Sequence, residues 1–445
     1  MKARAKGLIR KMTIFGWLAC YVQVHAMRTS STKITVSTTH REMKKLIAIM
    51  AVAGMVSTLS AQTPNQPKDA GETNQFTTVK DARISAIKNQ ANSGTCWAYS
   101  GQSFLEGELL RIGKGNFDLS EMFVVSHSYR DKGRKYVRMH GKLNFAQGGS
   151  FYDVLYVLKN YGAVPRSVMM GLNYGTNKNQ HSEMETGLKA FLDAIIKNPN
   201  GKLSTAWYPA FTSIIDSYLG KLPEEFTFAG KKYTPKTYAQ ALGINPDDYI
   251  SLTSFMHHPF YSKFALEIED NWRWAQSYNI PIDEFMRVME TAIDKGYTIA
   301  WGSDVSEQGF TRDGLAVLPD IEEIETKGSD QARWVGLSYG EKQNYIRQMV
   351  NRPDVPEIDP TQEYRQKGYD NYELTDDHGM VIYGIAKNQI GRKFFLVQNS
   401  WGETGKYKGV WYASYNFVKG KTMNIIINRK ALPDDIAKKL GVSNK

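Results

Sequence analysis

Cysteine is scarce in this chain, whose 445 residues include two, Cys20 and Cys96. That scarcity excludes a disulfide framework or a multi-cysteine metal site in the body of the protein, and it leaves Cys96 as either an inert core residue or a reactive thiol. Runs of apolar residues able to cross a bilayer are missing as well. The eleven-residue run from Leu46 to Val56 is too short to span a membrane well, nothing later resembles a transmembrane segment, and no stable membrane insertion is expected. The body also lacks charge of one sign. Of the formal +11, residues 1–42 hold eight basic residues and one acidic one, Lys44 and Lys45 add two more, and only about +2 remains for residues 62–445. A near-neutral body gives no basic footprint, so nucleic acid is not an expected partner.

What is present begins with Met43. From there the chain reads MKKLIAIMAVAGMVSTLSAQ, two lysines, an apolar run and Ala61 before Gln62, which is the layout of a secretory signal. The expected start is therefore Met43, with 1–42 a non-native or atypical extension, 43–61 a signal peptide, and the mature protein exported to a periplasm or the exterior.

Residues 62–77 are polar and proline-containing, a flexible entry. From Thr95 a helical pattern sets in, with Trp97, Phe104, Leu105, Leu109 and Ile112 on one face and Gly113 as a stop, so Cys96 falls in the first turn of a helix. A second amphipathic helix is expected from about Phe151 to Asn160, after Gly148 and Gly149 and before Gly162 and Pro165. Residues 166 to about 300 carry mostly helical patterns, Glu183–Ile196 and Ile282–Lys295 among them. Beyond Gly368, Met380–Ala386, Lys393–Asn399 and Gly409–Ser414 read as short strands. Helices early and strands late predict an α+β fold.

Thiol chemistry needs a nucleophile, a base, a group orienting that base, and donors for an oxyanion. Cys96 lies in QANSGTCW, where helix-terminal N–H groups favour its thiolate and an adjacent imidazolium would favour it further. His378, in TDDHGMVIYG, and Asn399, in FFLVQNSWG, fall at the start and end of expected strands, and the Asn399 amide is suited to accept from the imidazole. Gln90, six residues before Cys96, is placed to share an oxyanion with the Cys96 backbone N–H. Asp377, next to His378, would face the other side of a strand and reads as structural. Adjacent His257 and His258 should diverge in an extended chain, and no zinc set completes around them, so no metal site is expected.

These four residues, in this order, resemble the motifs of the papain-like cysteine peptidases. The resemblance implies Cys96 as nucleophile, His378 as base, Asn399 as orienting residue, Gln90 in the oxyanion hole, Trp401 shielding the histidine–asparagine pair, and Gly148 and Gly149 as the glycine pair whose backbone meets the substrate. His378 follows Cys96 by 282 residues, against about 130–150 in compact members, so about 130 residues are inserted. That spacing, with QGGSFYDVLYVLKNYGAVP, AWGSDVS and INRKALPDD, is similar to the bleomycin hydrolase and aminopeptidase C branch.

The implied architecture is a papain-like two-lobed core, one lobe helical and the other β-barrel-like, with a large helical insertion. The corresponding division is 78–165 for the helical lobe with the nucleophile, 166–300 for a mostly helical insertion, and 301–445 for the β lobe with His378, Asn399 and the C-terminal tail. The implied activity is peptide hydrolysis through a cysteine thioester without a cofactor, of the aminopeptidase type. In the branch a C-terminal arm lies in the cleft; the short stretch after Leu440 here leaves an endopeptidase with an open cleft as one alternative. A non-catalytic binding protein on the same scaffold is the other. Peptides are the implied partners, a homo-hexamer is implied by the branch, and its usual cytoplasmic location is the alternative to export.

Overall fold

The computed structural model describes residues 73–198, 200–327 and 338–444. The extension at 1–42, the signal-like segment at 43–61, Cys20 and most of the entry at 62–77 lie outside the described residues. Among the described residues no helix is long and apolar enough to cross a membrane.

Strand β1 (Phe76–Asp81) leads into six helices and one small hairpin: α1 (Cys96–Arg111), α2 (Glu121–Arg138), α3 (Phe151–Asn160), α4 (Ser182–Ile196), α5 (Trp207–Leu219), the hairpin β2 (Phe226–Phe228) and β3 (Lys231–Tyr233), and α6 (Pro235–Leu242). Local signals set their ends. The Ser120 hydroxyl accepts from the Phe123 N–H at 3.0 Å to start α2, and the Asp153 carboxylate reaches back to the Ser150 N–H at 2.9 Å to start α3. Thr234 followed by Pro235 opens α6, and Gly243 closes it with φ +75°.

The remaining elements are β4 (Tyr249–Thr253), β5 (Lys263–Ala265), β6 (Gln276–Asn279), α7 (Ile282–Asp294), β7 (Ile299–Ser303), β8 (Leu315–Ala316), α8 (Ile321–Lys327), α9 (Tyr339–Val350), α10 (Gln362–Asp370), β9 (His378–Asn388), β10 (Lys393–Gln398), β11 (Val410–Ser414), α11 (Tyr415–Lys421), β12 (Thr422–Asn428) and α12 (Asp434–Leu440). One sheet runs β5-β6-β4-β12-β7-β9-β10-β11-β8, with β1 added on β9. Two cores result. One lies among α1–α6, with Phe123, Leu188, Phe211 and Ile215 buried; the other lies beneath the sheet, where α7, α11 and α12 cover Trp301, Ile382, Val397 and Ile425.

The α+β class and the helices at 151–160, 183–196 and 282–294 match the periodicity, as do the three late strands. Three expectations need correction. The sheet is open, with β5 and β8 at its ends, instead of barrel-like, because the strand order never returns on itself. The stretch 166–300 is mostly helical to Leu242, but after it α7 is the one α-helix among β4 to β7, and those four strands join the sheet of the β lobe expected over 301–445. These strands are three to five residues long, too short to print a period-two pattern. Finally, α1 has no solvent face: every residue from Trp97 to Leu109 is buried, since α3 packs on one side and β7 and β9 on another, while Ile112, assigned to the apolar face, is exposed.

Candidate active site

Cys96 is the first residue of α1, where N–H groups lack intrahelical partners and the helix presents its positive end. The loop before it is laced to the loop after β10. Gln90 N–H donates to the Ser400 carbonyl at 2.8 Å, and Gly402 N–H donates to the Lys88 carbonyl at 2.9 Å. The Gln90 side chain is held at both ends, Oε1 accepting from Ser400 Oγ at 2.6 Å and Nε2 donating to the Ser93 carbonyl at 2.8 Å. One N–H of that amide remains for another acceptor.

His378 opens β9 and Asn399 follows β10. The two strands pair antiparallel with Gln398 opposite Val381, and that register sets the residues side by side. His378 Nε2 lies 2.8 Å from Asn399 Oδ1, and both residues are buried. An amide oxygen there keeps the proton on Nε2, which leaves Nδ1 as the basic nitrogen. The Asn399 oxygen also accepts from the Ser400 N–H at 2.7 Å, so its orientation is fixed. The Trp401 ring covers the imidazole with centroids 4.8 Å apart, and is itself braced edge-on by Trp411 at 5.4 Å.

Burial pushes the Cys96 thiol up to about 12; the Asp270 and Asp376 carboxylates act in the same sense, and hydrogen bonding from the backbone at Gly379 and Trp97 offsets only part. Burial also takes the His378 imidazole down to about 4 despite Asn399 and Asp377, which favour its charged form. The depression of the thiol expected from a helix terminus and an imidazolium is therefore outweighed by desolvation and by two acidic neighbours.

Gln90, Cys96, Gly148, His378 and Trp401 line one cavity of about 810 Å3, and Gly149 lines a smaller one that also opens on Cys96 and His378. The sequence motifs thus converge. Gly149 rests on the Trp97 ring, whose Nε1 donates to the Gln147 carbonyl at 3.0 Å. The cavities hold residues the motif reading passed over: Ile268 and Asp270 from the β5–β6 connection, and Asp376 two residues before His378. Asp376 stood in a quoted motif, but Asp270 carried no local signal, since only folding brings that connection over Gly148.

Asp377 turns away from the imidazole, accepting from Ser306 Oγ at 2.7 Å and Thr375 Oγ1 at 2.8 Å. His257 and His258 do not diverge as expected. A bend after β4 brings both Nε2 atoms to Glu267, at 3.1 and 3.2 Å, and the three donor groups lie within 4.8 Å of one another.

A family model described as Peptidase C1-like family matches residues 354–444, the portion carrying His378 and Asn399. Over 402 residues the chain is 21% identical to aminopeptidase C of Streptococcus thermophilus, covering 81% of this chain and 84% of that protein. Aminopeptidase G of Lactobacillus delbrueckii subsp. lactis is 20% identical over 394 residues, or 78% of this chain and 82% of the relative. Among solved structures, PepW from Lactobacillus rhamnosis HN001 superposes with a TM-score of 0.63 at 18% identity, covering 92% of this chain and 96% of its own.

Proposed function

We infer that the chain, a papain-like cysteine peptidase of the aminopeptidase C branch, hydrolyses peptide bonds through a thioester on Cys96 and removes residues from the amino end of its substrates. The observation that carries the reading is His378, held by Asn399 at 2.8 Å and lining one cavity with a thiol at the start of a buried helix.

In this reading Cys96 Sγ attacks the scissile carbonyl carbon while its proton passes to His378 Nδ1, the nitrogen left free by Asn399. Burial raises the thiol and lowers the imidazole, which favours proton transfer as part of the attack. The oxyanion is held by the Cys96 backbone N–H and the unspent N–H of Gln90, whose position Ser400 and Ser93 determine. The tetrahedral adduct collapses, the C–N bond breaks, and the leaving amine takes the proton from Nδ1. Water then gives a proton to Nδ1 as it attacks the thioester, and the thiol recovers that proton on release of the acid.

The test is a pair of peptides identical except for an acetyl group on the amino end, incubated under reducing conditions with the protein and with Cys96→Ala. Cleavage of the free peptide alone, lost in the variant, is expected. Internal cleavage of both peptides indicates an endopeptidase, and cleavage of neither indicates a binding protein on this scaffold. We also propose export, on the composition of residues 43–61, and a homo-oligomer with the hexamer as the implied form. Amino-terminal sequencing and light scattering of the native protein read these two proposals directly; a cytoplasmic protein starting before Gln62, or a monomer, overturns them.

A further inference from the structure

Beside Cys96, between the two lobes, lies a pocket of about 30 Å3 bounded by Gly149, Ile268, Asp270, Gly302, Asp376 and His378. About 10–15 Å3 suffices for one water-sized group. The space accepts an ammonium, and the same two carboxylates also face the larger cavity shared by Cys96 and His378. Its walls meet from opposite sides: Asp376 comes from the segment that enters β9, and Asp270 from the β5–β6 connection. Among the described residues neither carboxylate has an ion-pair partner.

Asp270 sits on the glycine pair itself. A Cβ on Gly148 would land on its carboxylate oxygens, and the Gly149 backbone N–H favours its charged form. The backbone edge along which a longer peptide would continue is thus occupied by a carboxylate. The connection that carries Asp270 is rigidly tied down. Asn271 Nδ2 donates to the Leu266 and Ala275 carbonyls, both at 3.0 Å, Trp272 Nε1 donates to Asp153 at 3.1 Å, and Arg273 bridges Asp153 and Asp131 at 2.5 and 2.9 Å. The C-terminal residues lie elsewhere: Gly441, Val442 and Ser443 line a separate groove, and Asn444 bonds to Leu432 and Asp434.

We propose that Asp270 and Asp376 together receive the terminal ammonium of the substrate, and that Asp270, lying across the glycine pair, stops the peptide one residue before the scissile bond. This rests on the peptidase reading and specifies its substrate class: peptides with a free amino end, cut at the first bond. Burial holds both acids up, Asp270 to about 6 against the opposing charge of Lys132 and Asp376 to about 8 with Asp270 and Asp377 acting in the same sense, and an ammonium between them would favour their charged forms. The same ammonium would screen Cys96 from the two carboxylates that raise its thiol.

The experiment compares a leucyl anilide bearing a free amine with its N-acetyl form, using the full-length protein, Asp270→Asn and Asp376→Asn, with iodoacetamide alkylation of Cys96 as the measure of an intact site. Expected is cleavage of only the free-amine substrate by the unaltered protein. Each variant should lose on the order of 10- to 100-fold in kcat/KM for it, as for loss of a charge-assisted contact, while alkylating at least as fast. Unchanged preference in both variants overturns the proposal and leaves the peptidase reading standing; cleavage of neither substrate by the unaltered protein overturns that reading instead. A lysyl peptide acetylated only at its amino end, if cleaved as well as the free-amine substrate, assigns the pocket to a side chain and also overturns the proposal. A measurement without variants checks it independently: leucinol should inhibit, and its deamino analogue should not. Equal inhibition by both is the contrary result.

Discussion

At the scale of single residues, the site depends on groups whose protonation is set by burial. His181 shows this away from the chemistry. It is fully buried, both ring nitrogens lack partners among the described residues, and burial lowers its imidazole to about 4. It stands behind the loop that carries Gln90, its backbone N–H donating to the Asn92 carbonyl at 3.1 Å. A histidine with a lowered folded value binds its proton more readily when unfolded. Its contribution is therefore intact above about 6.5 and is lost as pH falls toward 4. Between pH 7 and pH 5 the protein should lose about 2 kcal/mol relative to His181→Leu, because every other titrating group is common to both. Urea denaturation of the two proteins at both pH values measures this difference, and identical pH responses would rule it out.

At the scale of elements, close helix packing aims Cys96. A Cβ at Gly101 would lie 2.5 Å from Val154 Cγ2, so α1 and α3 approach only because that position has no side chain. Gly101→Ala should destabilise by about 1–3 kcal/mol through overpacking, and Val154→Ala in the same chain should restore part of the loss. Thermal unfolding of the single and double variants decides it; additive losses would mean that the contact does not limit the approach. Helices α3, α4 and α7 were legible because each repeats its apolar face over ten residues or more. The strands β4 to β7 were not, since pairing partners distant in sequence, not local pattern, make three- to five-residue segments into strands.

At the scale of the whole molecule, one buried cation joins the parts. Lys88 Nζ meets Glu106 of α1 at 2.6 Å, Glu121 of α2 at 2.8 Å and Asp118 at 2.9 Å, while its carbonyl accepts from Gly402 beside the sheet. Burial alone would lower this ammonium, but Glu121, Glu106 and Asp118 together hold it above its ordinary range. A raised lysine contributes its stability in full below its unfolded value of about 10.4, hence throughout the neutral range. Lys88→Met leaves Glu106 buried without a cation and Glu121 with only Arg166 at 3.7 Å, and should cost about 3–5 kcal/mol in denaturant titration at pH 7. A loss under 1 kcal/mol would show that the carboxylates are neutral in the fold.

The sequence by itself determined the chemistry available to this protein. A lone body cysteine preceded by Gln90 and followed by His378 and Asn399, in separate motifs, narrows the proposed reaction to thiol-dependent acyl chemistry, because side chains of those types can serve as nucleophile, base, orienter and oxyanion donor. Tertiary structure decided the rest. The β9–β10 register sets the 2.8 Å contact that leaves Nδ1 basic. Burial and two acidic neighbours set the resting thiol, and the β5–β6 connection lays a carboxylate across the glycine pair. Desolvation and the pull of neighbouring charges depend on which groups stand a few ångströms apart, and only the folded chain defines those neighbours.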